Sequence, residues 1–381
     1  MNFDWTDEQT RAAQDALAFA RGELASDTVT RDAEGTFSRE LWRRAAEYGV
    51  LGWSVPPEHG GAGHDLLTTV RLMEALGEGC RDNGLTFGIG AQMWGVQTAL
   101  LHFGTDEQIA RVLPGSIAGT SLAAYCMTEE GSGSDAFALR TTARRTDAGY
   151  AITGEKVLIT FAPVADVAIV FASTNPDAGR WGLSAFLVDA DTPGYEAHPV
   201  EDKMGLRTVP FGRVTLTDCE VPASALIGKE GAGASIFTFS QGWERSLVLA
   251  PQLGAMQRQI DECVAFAKER KRGGQSVGKH QAVSHRIADM KLRLETCRLL
   301  LYRTAWLQQS GRPNLMEAAL TKTYLGECFA KSSLDAILIH GGDGYRTETE
   351  IERDLRDAVG GLIYGGTTDV QRNIVAGLLG L

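Results

Sequence analysis

The sequence predicts a mainly α-helical protein with one β domain in its middle, and three observations carry that prediction. Apolar residues recur at helical spacing from residue 6 to about 113, short β-branched and aromatic runs replace them from about 120 to 226, and helical spacing returns from Gly231 onward. At 381 residues the chain is too long for one ordinary core. The changes of texture therefore divide it into domains at 1–118, 119–228 and 229–381, and the lack of repeats, low-complexity tracts and long linkers packs them into one subunit.

The elements follow in order. Thr6-x-x-Gln9 and Thr105-x-x-Gln108 are capping boxes, in which the Thr hydroxyl and the Gln side chain satisfy the exposed N–H groups of a helix start. Leu41, Ala45 and Tyr48 share one helical face, Gly49 suits the helix end, and Pro114-Gly115 is expected to close the helical region. Runs such as Val167–Phe171, Ser184–Val188 and Val214–Leu216, separated by Gly, Pro and Asp, read as strands. From Val283 through Ile287, Met290, Leu294 and Cys297 to Leu301 the spacing alternates between four and three, the seam of an antiparallel bundle, and Gly311 and Pro313 end that helix. Leu362 to Arg372, LIYGGTTDVQR, reads as a helix start.

Composition excludes several classes. With 44% hydrophobic and 22% charged residues the chain fits a globular protein. A net charge of −11 and a pI near 5.2 oppose a nucleic-acid partner, because phosphate binding needs clustered cations and the only basic run, Lys268 to Arg272, is short. The charged N-terminus and the lack of an uninterrupted run of 18 apolar residues predict no membrane segment and a cytoplasmic location. Cys80, Cys126, Cys219, Cys263, Cys297 and Cys328 form no CxxC pair, so reduced thiols in or near the core are expected, with no metal site.

Gly131-Ser132-Gly133-Ser134-Asp135-Ala136 matches the GxGxxA dinucleotide pattern, which works only when a helix follows. Here FALRTTARRTDAGY follows, a strand and hairpin with its turn at Asp147-Ala148-Gly149, and the Rossmann reading fails. The wider segment Tyr125 to Asp135, YCMTEEGSGSD, resembles instead the flavin loop of the acyl-CoA dehydrogenase family, with Glu130 for the usual Pro and Ser132 for the usual Ala. Further family marks follow in register: Lys203-Met204-Gly205-Leu206-Arg207, Val221-Pro222, Gly228, Gln281-Ala282-Val283, Ala288-Asp289-Met290, His340 to Tyr345, Arg356-Asp357 and Gly366-Thr367. The resemblance spans nearly the whole chain. It implies a helical N-terminal domain, a middle β-barrel or sandwich, a C-terminal four-helix bundle, a homotetramer and bound FAD.

The resemblance also implies site residues. Tyr125, Met127, Thr128, Gly133, Ser134, Leu158, Ile159 and Thr160 would line the flavin ring. Arg270, Gln281, Leu338, Gly341 and Gly342 would hold the adenosine part from a neighbouring subunit, with Thr367 and Asp369 completing the cofactor set. Leu158 stands where a Trp is common, Gly273 where a Phe usually packs and Leu338 where a Gln is frequent, so weaker flavin binding is expected.

The family's reaction takes a proton from the carbon beside a thioester carbonyl and a hydride from the next atom, and needs a carboxylate base shielded from water. Many members carry it where this chain has Gly365. Others, isovaleryl-CoA dehydrogenase among them, carry it in the pair ER on a helix of the last domain, and Gly242-Trp243-Glu244-Arg245 matches that pattern. By itself Glu244 reads as a solvated helix carboxylate. Trp243 and the apolar run Leu247 to Ala250 argue for a buried helix, where a lone carboxylate is costly and points to function. Glu244 is therefore the expected base, with Ser134, Trp243, Arg245, Gly365 and Gly366 around the substrate and the Gly365 N–H polarising the thioester oxygen.

Gln281 to Glu295, Gly242 to Arg245 and Leu299-Leu300-Leu301 most resemble the L-prolyl-carrier-protein dehydrogenases of pyrrole-forming antibiotic pathways, which turn a tethered prolyl group into a pyrrolyl group. The expected partners are an acyl or peptidyl carrier protein or a CoA thioester, and an electron-transfer flavoprotein or oxygen as acceptor. A short branched-chain acyl-CoA dehydrogenase, a flavin monooxygenase on the same scaffold and a non-catalytic helical binding protein stay open as alternatives.

Overall fold

The computed structural model describes residues 4–381. The first domain contains α1 (Asp7–Glu23), α2 (Thr28–Glu34), α3 (Arg39–Glu47), α4 (Leu66–Gly79), α5 (Asn83–Gly90), a π-helical segment at Ala91–Gln97 that continues α5, α6 (Thr98–Phe103) and α7 (Asp106–Ile117). Both capping boxes form, at Thr6 and at Thr105. α7 runs through Pro114 and ends at Ile117, so Pro114-Gly115 does not close the helix. Leu41 and Ala45 are buried as their spacing requires, and Gly49 takes φ +96° just past α3. Tyr48, the C-cap of the same helix, is partly exposed and stacks on Phe19 at 3.9 Å.

The middle domain is one eight-stranded sheet: β1 (Ala123–Cys126), β2 (Thr142–Arg145), β3 (Gly149–Thr160), β4 (Val167–Ser173), β5 (Leu183–Asp189), β6 (Tyr195–Ala197), β7 (Phe211–Pro222) and β8 (Leu226–Ile227). The order is β6-β7-β3-β2-β4-β5-β8, with β1 parallel to β4. β2 and β3 form the antiparallel hairpin that excluded a dinucleotide fold. β4 is buried along its whole length because both faces are covered. Ala168, Val170 and Ala172 face the inside of the β domain, while Val167, Ile169 and Phe171 pack with Phe103, Tyr125 and Phe237 on the helical side.

The last domain holds α8 (Gly233–Leu247), α9 (Ala250–Glu269), α10 (Gln281–Gln309), α11 (Leu315–His340), α12 (Ile351–Gly360) and α13 (Thr368–Leu378). The apolar run 247–250 spans the break between α8 and α9 and is wholly buried. On α10, Met290, Leu294, Cys297 and Leu301 are buried, with Val283 and Ile287 partly buried beside them. All six cysteines are buried free thiols. Thr367 caps α13 by accepting from the Val370 N–H at 3.2 Å.

Two sequence marks turn out to be one joint. A Cβ on Gly205 would lie 2.2 Å from the Arg356 carbonyl, and the Leu206 N–H donates to Asp357 Oδ1 at 2.5 Å. Asn83 Nδ2 donates to Asp357 Oδ2 at 2.9 Å, so this buried carboxylate joins all three domains. No helix among the described residues is long and apolar enough to cross a membrane.

Candidate active site

Glu244 sits near the C-terminal end of α8, half-buried, with its carboxylate facing the π-helical segment of the first domain. Gln241, one turn earlier, donates from Nε2 to Glu244 Oε2 at 2.7 Å. A Cβ on Gly95 would lie 3.9 Å from that oxygen, so glycine leaves the carboxylate room. The Trp94 and Trp243 rings stack alongside, with centroids 6.3 Å apart and planes 20° apart. Burial in these apolar surroundings pushes the Glu244 carboxyl up to about 7, against the opposing pull of Arg245 and the Gln241 hydrogen bond. A carboxyl tuned near neutrality holds a proton acceptor and its conjugate acid in comparable amounts, which suits general-base work.

The loop at Gly365 and Gly366 comes up against α8 at Arg245. Gly365 and Gly366 take φ +63° and +85°, in the left-handed region that favours glycine. A Cβ on Gly365 would meet only the Arg245 Cα, at 4.0 Å. Gln371 Nε2 holds the Gly365 carbonyl at 3.0 Å and the Gly366 carbonyl at 3.3 Å. The loop that lacks a carboxylate thus abuts the helix that has one. Tyr125 and Tyr364 both lie near enough to feel the Glu244 charge.

The expected flavin loop and the end of β3 meet in space: the Val157 N–H donates to the Thr128 carbonyl at 2.9 Å. Ser132 closes the turn at Glu129 in both directions, and Gly131 has φ +89°. The structure narrows what these residues can contribute. The side chains of Met127 and Ile159 are buried in the apolar clusters on the two sides of the sheet, so only their backbone groups can face a cofactor. Thr128, Thr160, Gly133 and Ser134 remain accessible.

Several observations fit a flat, polar-edged group in front of this loop. Leu158 is 55% exposed at φ +59° within an irregularity of β3. A Cβ on Gly131 or Gly133 would meet nothing within 4 Å. The Trp243 indole N–H is buried without a partner, an arrangement that costs free energy unless a bound group completes it, and the Tyr125 and Ser240 hydroxyls are buried beside each other.

Arg270, Gln281, Leu338, Gly341 and Gly342 lie apart from these groups, exposed at one end of the helical domain. Arg270 follows the last turn of α9, where Phe266 packs on His340 at 4.4 Å, and Gln281 begins α10. Asp369 is exposed in the first turn of α13. Four contributors escaped the sequence reading. Gln241 was visible in principle, three residues from Glu244 on one helix face, whereas Gly95 on its π-turn, Gln371 and the buried Lys156 beneath the flavin loop gave no local signal.

With this fold and site in place, comparison with known proteins gives the class. Residues 6–120, 124–219 and 231–379 match the N-terminal, middle and C-terminal domains of acyl-CoA dehydrogenase, and the chain belongs to that family. Within it, the chain is 38% identical over 381 residues to the L-prolyl-[peptidyl-carrier protein] dehydrogenase of Serratia sp. (strain ATCC 39006), covering 100% of this chain and 99% of the relative. Among solved structures it is similar to the prolyl acyl carrier protein oxidase AnaB, with TM-score 0.98, 39% identity and coverage of 99% and 100% of the two chains. It is also similar to PigA with FAD and proline, with TM-score 0.97, 38% identity and full coverage of both chains.

Proposed function

We propose that this protein is an FAD-dependent dehydrogenase that oxidises an L-prolyl group, held as a thioester on a carrier protein, to the pyrrolyl thioester. The observation that carries the mechanism is Glu244, a half-buried carboxylate with its pKa raised to about 7, whose neighbour Arg245 borders the open Gly365. The full-length similarity to prolyl-carrier-protein dehydrogenases supports the substrate.

Conversion of prolyl to pyrrolyl removes four hydrogens from the ring, as two successive two-electron oxidations. FAD, when bound, supplies the hydride acceptor. Tyr125, Thr128, Gly133, Ser134, Leu158 and Thr160, with the backbones of Met127 and Ile159, would hold its ring, while Arg270, Gln281, Leu338, Gly341 and Gly342 of a neighbouring copy, with Thr367 and Asp369, would hold the rest. Glu244 takes the proton from the carbon next to the thioester carbonyl. Gln241 fixes the carboxylate by donating to Oε2, leaving Oε1 for the substrate. The Gly365 N–H donates to the thioester oxygen and stabilises the charge that develops there. Ser134, Trp243, Arg245 and Gly366 surround the reacting group, and the stacked Trp94 and Trp243 help exclude water. The working form is a cytoplasmic homotetramer, reoxidised by an electron-transfer flavoprotein or by oxygen.

The test compares flavin bleaching by L-prolyl-carrier protein, free proline and isovaleryl-CoA. Tethering orients the reacting carbons, so the carrier-bound substrate is expected to react faster by about a hundredfold or more. Faster bleaching by isovaleryl-CoA would instead assign a branched-chain acyl-CoA dehydrogenase.

A further inference from the structure

Lys156 lies in β3 directly beneath the flavin loop, and its side chain is 0% exposed. A lysine so placed is costly unless its charge is matched. Its Nζ donates to Glu129 Oε1 at 2.7 Å and to the Met127 carbonyl at 3.1 Å. Glu129 is equally committed: Oε2 accepts from the Arg140 N–H at 2.6 Å and Oε1 from the Thr141 N–H at 3.1 Å. One carboxylate therefore closes the loop from residue 129 to residue 141, while one ammonium ties the start of that loop to the strand bearing Leu158, Ile159 and Thr160. Gly154, two residues before Lys156 on β3, permits the close approach, since a Cβ there would fall 2.3 Å from Thr141 Oγ1.

The Met127 contact has a geometric consequence. In a trans peptide the carbonyl of one residue and the N–H of the next point in opposite directions within one plane. Holding the Met127 carbonyl on Lys156 turns the Thr128 N–H to the side away from the buried pair. An apolar pair in the same space would leave the Arg140 and Thr141 N–H groups and the Met127 carbonyl without these partners, so the two charges set the backbone of the loop.

We propose that the Glu129–Lys156 ion pair is a positioning element for the flavin, setting the Met127–Thr128 peptide and thereby FAD affinity and reduction potential. The inference rests on FAD being the cofactor and is independent of the prolyl substrate, because every readout is made without substrate.

The test uses Glu129→Gln, Lys156→Met and the double variant, each as the full-length protein. FAD affinity is measured by reconstitution, and the visible spectrum and the flavin reduction potential are recorded. Glu129→Gln leaves an uncompensated cation and is expected to raise the potential, while Lys156→Met leaves an anion and is expected to lower it. Each single change is expected to weaken FAD binding about tenfold or more, since a charge-assisted hydrogen bond is lost in each. The double variant leaves no unpaired buried charge, so it decides the matter should a single variant fail to fold. It is expected to return the potential close to that of the parent protein while binding FAD about tenfold more weakly, because the Met127 carbonyl has lost its donor. Parent-like FAD affinity and spectrum in the double variant, whatever its thermal stability, would reduce the pair to scaffolding and overturn the proposal. Failure of the parent protein itself to bind FAD would instead remove the cofactor assignment.

Discussion

Two glutamates, Glu129 in the flavin loop and Glu244 on α8, have opposite environments. Burial works to raise the Glu129 carboxyl, but Lys156 and the hydrogen bonds from Arg140 and Thr141 outweigh it and hold the group below the ordinary carboxylate range. Glu244 has one hydrogen-bond donor, Gln241, and a neighbouring Arg245, and burial prevails, pushing it up to about 7. The first is a fixed anion that organises backbone. The second exchanges a proton near neutral pH. The difference lies in how many donors each environment supplies; a raised pKa does not by itself mark a base, since burial also pushes the joint carboxylate of Asp357 up to about 7.

The strongest way to break this contrast is to move the base. Gly365→Glu in a Glu244→Gln background is expected to recover part of the lost flavin bleaching, about tenfold over the Glu244→Gln variant alone, because the Gly365 Cβ direction is open beside Arg245. In the otherwise unaltered protein the same change is expected to slow bleaching about tenfold or more, since two carboxylates in one water-poor site resist joint ionisation and the new side chain fills substrate space. The backbone at φ +63° adds a strain of roughly 1 kcal/mol in both backgrounds. Loss of activity in both, from variants that still bind FAD, would refute a shared site.

A second prediction concerns pH. The base acts when deprotonated, so kcat/KM for prolyl-carrier protein is expected to rise as pH increases through about 7 and then level. The Gln241 hydrogen bond lowers the Glu244 pKa, so Gln241→Leu is expected to move that midpoint upward by about half a unit. An unshifted midpoint would show that another group titrates.

The smallest effect is on stability, and it should carry opposite signs at the two glutamates. A carboxyl whose folded pKa is raised weakens folding as pH climbs from about 4.5 toward 7, so Glu244→Gln is expected to gain in Tm between pH 5 and pH 8, relative to the parent protein, by about 1–3 °C. Glu129, with a lowered folded pKa, contributes stability above its unfolded pKa that is lost as pH falls through the folded value. The Tm deficit of Glu129→Gln is therefore expected to shrink on acidification below pH 4.5. Equal pH dependence for the two variants would dissolve the contrast.

The sequence made the architecture legible because each domain has its own period: capping boxes and a four-three seam for the helices, alternating short runs for the sheet. It misjudged Pro114, which α7 absorbs. For the site, motif order located the loop at Tyr125–Ser134, and the step from Gly365 to Glu244 came from the resemblance to family members that carry the base in the pair ER, with the apolar run after it arguing for burial. What stayed hidden depends on tertiary contact. Lys156 and Glu129 are 27 residues apart and meet only once β3 lies beneath the loop. Gly95 matters because a π-turn aims it at a carboxylate contributed by a distant helix. The side chains of Met127 and Ile159 are buried on the two sides of the sheet, which a motif does not report.

The central claim is that Glu244 removes the proton, and a single-turnover experiment tests it most directly. FAD-loaded Glu244→Gln is mixed with L-prolyl-carrier protein and the flavin absorbance is followed. The change is nearly isosteric, so the account predicts parent-like FAD content and a bleaching rate reduced by about a hundredfold or more. Bleaching at the rate of the parent protein would remove Glu244 from the mechanism.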